Sequence, residues 1–418
     1  MVFLGCRHIY GKASKGIVWL HSTSWPKDSA LKRLLQLELQ EPKNGEPADM
    51  QRHVDQAADQ LDAAREEEYW LRSGWTLQEG VLLHETDLID LDGNVLPGSE
   101  FFINDQANVC DLTIPISKIA YLLGIAHFIN SQGHEPDIGT PSPQSAYALS
   151  KMPEMWLRQS LQRFMASGFV GFWKESPLDI LSGKRGRRFG NVKDKCWALV
   201  GALGIDKIEV TYDEKVPMEE VKRRLLVALI DKYQWVMLSL PFPEFRITEK
   251  TPKGSTERKF EWIDIADGIM LPVHAFCVEV KTDPEHSREQ LPVLSYVDDL
   301  RIKAPSSGKI TLYRAPIEGD SWYRHYRQDK NGLMIVPSQN GAIEGDRLLS
   351  TAWLLHLSHI NMKVGVPGRR CLALLGRDGQ DLDLGASPMQ ASFGGIIDIR
   401  DIGHESVEVE EIVLHPSP

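Results

Sequence analysis

Apolar positions recur at helical spacing through the first half of the chain and in short runs through the second. Ile17-Val18-Trp19-Leu20, bounded by Gly16 and by the polar stretch His21-Ser22-Thr23-Ser24, reads as a short buried strand. Leu31, Leu34, Leu35 and Leu39 then fall on one helical face over 28–41, and Pro42 with Lys43-Asn44-Gly45 stops that helix. A more polar helix over 48–70 runs into Tyr69-Trp70-Leu71-Arg72, and a further short helix is predicted from Trp75 to Gly80. Strand-like text at 81–89 and 94–102 flanks Asp92-Gly93, a hairpin signal. Helical spacing returns at 115–132, 151–167, 193–203 and 217–233, the last carrying Val221, Leu225, Ala228 and Leu229 on one face. The stretch 133–146, rich in proline and glycine, predicts a loop. From Trp235 onward the chain shows short β-type runs at 235–240, 259–264, 275–280, 309–313, 333–336, 370–375, 394–399 and 406–414, which predict an antiparallel sandwich or barrel-like domain. The pattern thus divides the chain into an α/β part at 1–105, a helical region at 106–234 and a β-rich C-terminal domain at 235–418.

Composition narrows the function classes. The 418 residues carry a formal net charge of −11. That balance argues against a protein built to grip nucleic-acid backbones or anionic membrane surfaces, because both need clustered Lys and Arg. Cys6, Cys110, Cys196, Cys277 and Cys371 are scattered singly without a C-x-x-C pair, which fits a reducing compartment and offers no structural zinc set. No run reaches the ~20 apolar residues of a membrane helix, and the apolar start is too short for a secretory signal. The expected location is the cytoplasm.

One block carries chemistry. Arg72-Ser73-Gly74-Trp75-Thr76-Leu77-Gln78-Glu79 closely resembles the most recognisable block of the fungal heterokaryon-incompatibility (HET) domain family, an Arg, a small residue, then Trp-Thr-Leu-Gln-Glu. His8-Ile9-Tyr10-Gly11-Lys12-Ala13 followed by Ile17-Val18-Trp19-Leu20 is similar to the family's Ile-Tyr, Ala, apolar-Trp-Leu block. Downstream, Lys193 to Gly204 and then Val210-Thr211-Tyr212-Asp213 resemble the Asp, Tyr or Trp, Ala-Leu-Leu-Gly segment that follows the domain. The resemblance covers roughly 5–105 and 190–240. It departs from the family at Gly80, where an apolar residue is usual, and ahead of Met1, where the family's Asp, Cys-Ile, Gln segment would stand. The resemblance therefore implies a partial HET domain at 1–105, either degenerate or shortened by its gene model.

HET domains are remotely similar to TIR domains, flavodoxin-like α/β units of which many cleave NAD with a glutamate in a Trp, Leu, Glu motif. By that resemblance Glu79 is the catalytic residue of an NAD-hydrolysing ancestry, Trp75 and Arg72 bind NAD, NAD is substrate rather than cofactor, and the missing N-terminal segment is expected to impair the activity by removing part of the pocket. The chemistry is coherent, since a fixed carboxylate stabilises the oxocarbenium-like ribosyl cation left when nicotinamide departs. Trp75 and Glu79, four apart, would share one face if both stood on a helix. Thr76-x-x-Glu79 is also a capping box, a purely structural arrangement and the reading that the residue types alone favour. Two further features invite chemistry and have plainer readings. Asp90-x-Asp92-x-Asn94 suggests a calcium loop but fits a hairpin turn better, and Lys184-Arg185-Gly186-Arg187-Arg188 suits a phosphate site or, more simply, a solvated loop. Trp262, Trp322, Tyr323, Tyr326 and Trp353 read as sandwich core before they read as a ligand groove. The function implied by the resemblance is incompatibility-type cell-death signalling in non-self recognition, with protein partners and homo-oligomers. The competing expectation is a non-catalytic interaction module whose C-terminal β domain binds a partner.

Overall fold

The computed structural model describes residues 8–39, 47–82, 86–96, 116–132, 144–168, 177–184, 186–234, 237, 278–281, 293–296, 300–304, 308–314, 323–329, 332–337, 352–362, 367–376, 381–400 and 402–415. The runs expected at 235–240 and 259–264 fall almost wholly outside these residues, as do Trp262 and Trp322. The chain divides into two compact units, Met1–Val221 with Ala266–Cys277, and Lys222–Ile265 with Val278–Pro418. The first takes in both the α/β part and most of the helical region.

In the first unit a helical turn, α1 (8–12), leads to β1 (Gly16–Trp19). The helices α2 (Ala30–Leu39), α3 (Pro47–Glu67), α4 (Tyr69–Arg72) and α5 (Leu77–Leu82) follow, and then β2 (Thr86–Ile89) and β3 (Val95–Leu96). β1 pairs with β2 in parallel, Gly16 opposite Thr86 and Trp19 opposite Ile89, and β2 turns back onto β3. Val18, Leu88 and Leu96 are buried, as are Leu31, Leu34, Val54, Ala57, Ala58 and Leu61 of α2 and α3, which pack on each other. The expectation that β1 is buried throughout is corrected: Ile17 is 68% and Trp19 65% exposed. Strand residues alternate faces, and here only one face is covered. Residues Val81 and Leu82, expected in a strand, close helix α5 instead.

The connection from β2 to β3 is a turn organised by Asp90. Its buried carboxylate accepts the backbone N–H of Trp25, of Asp92 (3.1 Å) and of Asn94 (2.6 Å), together with the Asn94 side-chain amide (3.0 Å). Gly93 supplies the positive φ of 79° that the turn demands. Asp90-x-Asp92-x-Asn94 is therefore turn chemistry, with both Asp90 oxygens committed to it. Burial pushes the Asp90 carboxyl up, but the hydrogen bonds from Trp25, Asn94 and Asp92 outweigh it and hold the group below its ordinary 3.8. The unfolded chain then binds the proton more tightly, so Asp90 stabilises the fold above about pH 4 and that contribution fades as pH falls through the lower folded value. Asp90→Asn should lower stability by about 2 kcal/mol at pH 7. It should also flatten the acid limb of a urea-unfolding series taken against pH. An unchanged acid limb would contradict the assignment.

The described elements that follow are helices: α6 (Ile116–Gln132), α7 (Gln144–Ser150), α8 (Glu154–Ala166), α9 (Pro177–Ser182), α10 (Asp194–Trp197) and α11 (Met218–Tyr233), whose later residues the division assigns to the second unit. α6 is apolar around most of its circumference, with Ile119, Ala120, Leu122, Leu123, Ile125 and Ala126 all buried, and it packs on α7 and α8. Arg163 of α8 reaches Asp59 (2.6 Å) and Asp62 (2.5 Å) of α3, and Trp156 donates to Asp55 (2.9 Å), which pins these helices together. The helix expected over 193–203 shortens to α10 followed by turns, and α7 and α9 were not expected.

In the second unit the described residues form an 11-stranded sheet, ordered β13-β7-β10-β11-β12-β14-β6-β5, with β4 on β10, β8 on β12 and β9 on β8. Its strands are β4 (Val278–Lys281), β5 (Val293–Tyr296), β6 (Leu300–Lys303), β7 (Ile310–Arg314), β8 (Tyr323–Asp329), β9 (Gly332–Pro337), β10 (Trp353–Met362), β11 (Pro367–Leu375), β12 (Met389–Ile399), β13 (Ser406–Val409) and β14 (Glu411–His415). Pairing is antiparallel except between β12 and β14. The long strands fork. β10 pairs β7 through Trp353–Leu355 and β4 through His359–Met362, while β12 pairs β14 at its start and β8 at its end. The break in β12 falls at Gly394-Gly395, where Gly395 has φ 103° and a side chain on Gly394 would lie 2.9 Å from the Ala373 carbonyl. A sheet-rich C-terminal region is as the sequence pattern predicts.

Candidate functional site

Helix α3 ends because Glu68 leaves the helical conformation (φ −85°, ψ 121°). Its fully buried carboxylate accepts from His21 N (3.2 Å), Ser22 N (2.6 Å) and the Thr23 hydroxyl (2.9 Å), with His21 Nδ1 3.0 Å away. The exit of β1 is thereby tied to the start of α4. After α4 the backbone turns extended at Ser73 and pairs in parallel with Arg188. Arg188 N donates to the Arg72 carbonyl (2.6 Å), and Gly74 N donates to the Arg188 carbonyl (2.9 Å). Glycine is needed at 74 because a Cβ there would sit 1.8 Å from the Phe189 ring.

Glu79, on α5, has its carboxylate held by two aromatic donors. Tyr10 donates its hydroxyl to Oε1 at 3.1 Å, and the Trp70 indole N–H donates to Oε2 at 2.8 Å. The capping-box alternative is corrected. The Thr76 hydroxyl bonds the carbonyls of Trp70 (2.5 Å) and Ser73 (2.9 Å), and neither Thr76 nor Glu79 closes the helix's own first turn through its side chain. The expected Trp75–Glu79 face is corrected as well. Helix α5 begins at Leu77, so Trp75 stands ahead of it, and its indole N–H goes to Asp194 at 3.2 Å. The indole beside Glu79 is that of Trp70. Arg72 is half-buried, with its Nε enclosed and without a hydrogen-bond acceptor.

Sequence reasoning missed Arg187. The solvated-loop reading is corrected for two members of the basic run: Lys184 is 1% and Arg187 9% exposed beside the strand-like pairing of Arg188 with Ser73, while Gly186 and Arg188 are exposed. Arg187 Nη1 donates to the carbonyls of Trp70 (3.1 Å) and Ser73 (2.7 Å) and to the Thr76 hydroxyl (3.2 Å), and Nη2 donates to the Gly168 carbonyl (3.0 Å). Its guanidinium also lies 5.8 Å from the centre of the Trp70 ring. Burial first, and then the like charge of Arg65, bring Arg187 down to about 9, while Glu79 pulls the other way. The only local hint is Gly186 interrupting the run, which takes a φ of 74°.

A third segment closes the cluster. Asp194 accepts from Trp75 and from the Tyr212 hydroxyl (2.6 Å), and Gln78 donates its side-chain amide to the Ala198 carbonyl. Burial, reinforced by Asp194, pushes the Tyr212 hydroxyl well up from its ordinary value. Trp197 donates to Thr211 O at 3.0 Å, and Lys193 to Asp213 O. The three blocks singled out in the sequence thus meet in space, at Tyr10–Glu79, Trp75–Asp194 and Gln78–Ala198. The chain matches no family model, no curated protein and no solved structure. Among the described residues no group of His, Cys, Asp and Glu could hold a metal ion, and no helix is long and apolar enough to cross a membrane.

Proposed function

We propose that the protein is a HET-type signalling protein of fungal non-self recognition whose TIR-like domain cleaves NAD at Glu79. The observation that carries this reading is the setting of that carboxylate. It is oriented by Tyr10 and Trp70, from outside its own helix, while its helix turn is satisfied by backbone. Each oxygen keeps a further lone pair for a sugar hydroxyl. In the reaction the bond between ribose C1′ and the nicotinamide nitrogen breaks, and nicotinamide leaves neutral with the bonding electrons. Glu79 stabilises the ribosyl cation, water adds to C1′, and a proton is released. Trp70 takes the place expected of Trp75 beside the carboxylate, and Arg72 with Trp75 remains assigned to NAD binding. Cell-death signalling through protein partners and self-association would follow NAD loss.

NAD consumption by the purified protein tests this. Glu79→Gln, which keeps the shape, and Glu79→Ala should each reduce turnover about 10²–10³-fold, the scale of losing one preorganised electrostatic contact. Equal, negligible turnover in all three proteins would sink the enzymatic reading. It would leave an interaction module in which the same network is scaffold.

A further inference from the structure

Arg65 stands in the last turn of α3, half-buried, with its guanidinium packed on the Gly186 backbone. The approach is so close that a Cβ on Gly186 would lie 1.9 Å from an Arg65 Nη2, and Gly186 adopts a φ of 74° that side chains avoid. The next residue, Arg187, is buried. All four of its acceptors are uncharged oxygens, and its Nε is enclosed without one. Among the described residues no carboxylate bonds to Arg65 or to Arg187, although each lies within electrostatic reach of the other. Two guanidiniums held together in a partly dry setting repel, and an anion between them converts that repulsion into attraction. Planar guanidiniums match the oxygen spacing of phosphate.

We infer that the notch formed by Arg65 and the Gly186–Arg187 turn binds a phosphate group of a nucleotide. The acidity of the whole chain does not oppose this, because Arg65 and Arg187 bring two cations to one place, where Glu79 is the carboxylate that acts on Arg187 and Glu66 and Glu67 follow Arg65 on the exposed side of the chain. Assigning the phosphate to the diphosphate of NAD rests on the reading of Glu79 as the working carboxylate. The anion site itself does not.

Calorimetric titration of the full chain with inorganic pyrophosphate and with ADP tests the inference, with Arg65→Gln and Arg65→Lys as variants and Lys12→Ala as an exposed control. Wild type and the control should bind both probes. Arg65→Gln should weaken binding about tenfold or more, and Arg65→Lys, which keeps the charge but loses the fork, should fall between. Melting curves of each variant exclude loss of fold. Wild type failing to bind pyrophosphate and ADP, or Arg65→Gln binding as wild type does, would overturn the inference. NAD cleavage with an unchanged KM in Arg65→Gln overturns the diphosphate assignment and leaves the Glu79 reading intact. Arg65-dependent binding of pyrophosphate without any NAD cleavage overturns the Glu79 reading, and the diphosphate assignment with it, and leaves the anion site standing.

Discussion

Asp398→Ala should lower the unfolding free energy of the sheet-rich unit by about 3–5 kcal/mol, the cost of stranding one half of a buried ion pair. Asp398 in β12 is fully buried opposite Arg370 of β11. Arg370 grips it with two parallel bonds, Nε to Oδ1 at 2.8 Å and Nη2 to Oδ2 at 3.0 Å. The pair stands next to Cys371, whose thiol burial, and then the Asp398 charge, push up from its ordinary value. Without its carboxylate the buried guanidinium loses both of these bonds and the opposite charge they carry. Urea unfolding followed by tryptophan fluorescence measures the loss, and a shift below about 1 kcal/mol would show the pair to be dispensable. Replacing both partners with apolar residues of similar size should recover much of the stability, because the desolvation cost of the two charges disappears with them. A double variant as unstable as Asp398→Ala would argue that packing, not charge, governs the site.

Glu68→Gln should cost about 3 kcal/mol in the first unit. The substitution is nearly isosteric, so it leaves no cavity. It does replace one acceptor oxygen by an amide that points donor against donor. Every known partner of Glu68 is a donor: His21 N, Ser22 N, the Thr23 hydroxyl and, when it carries a proton, His21 Nδ1. No rotation of the amide satisfies them all. The change should therefore loosen the exit of β1 as well as the entry to α4, and amide exchange at His21 and Ser22 should accelerate together with exchange at Leu71 and Arg72. Faster exchange at only one of these places would contradict the coupling.

Much of the fold is legible in the sequence where burial is one-sided and periodic. The heptad-like leucines of α2, the apolar circumference of α6 and the Val221–Leu229 face of α11 each announce a helix whose partner surface is already implied. Short elements are read less well. β8, with the sequence YRHYRQD, shows charge where a strand signal needs apolar alternation, and β5 and β6 are only four residues each. At the candidate site, Glu79 stands on a short helix as the Arg72–Glu79 block predicts, yet a two-residue shift in where α5 begins moves Trp75 off the helix and gives its expected place to Trp70. The run holding Arg187 stands out in the sequence, but the burial of Arg187 does not, since it depends on contacts with a segment 114 residues earlier. Local composition carries no trace of such a partner.

That long separation has a consequence for biosynthesis. A chain emerging from the ribosome has made Trp70 and Glu79 long before it has made the stretch that clasps Ser73 and Gly74. Closing a loop of this size is slow relative to forming the local helices on either side. The carboxylate therefore acquires its full surroundings only once synthesis has passed Arg188. A chain released before that point carries Tyr10, Trp70 and Glu79 but lacks the guanidinium that gathers the Trp70 and Ser73 carbonyls beneath them.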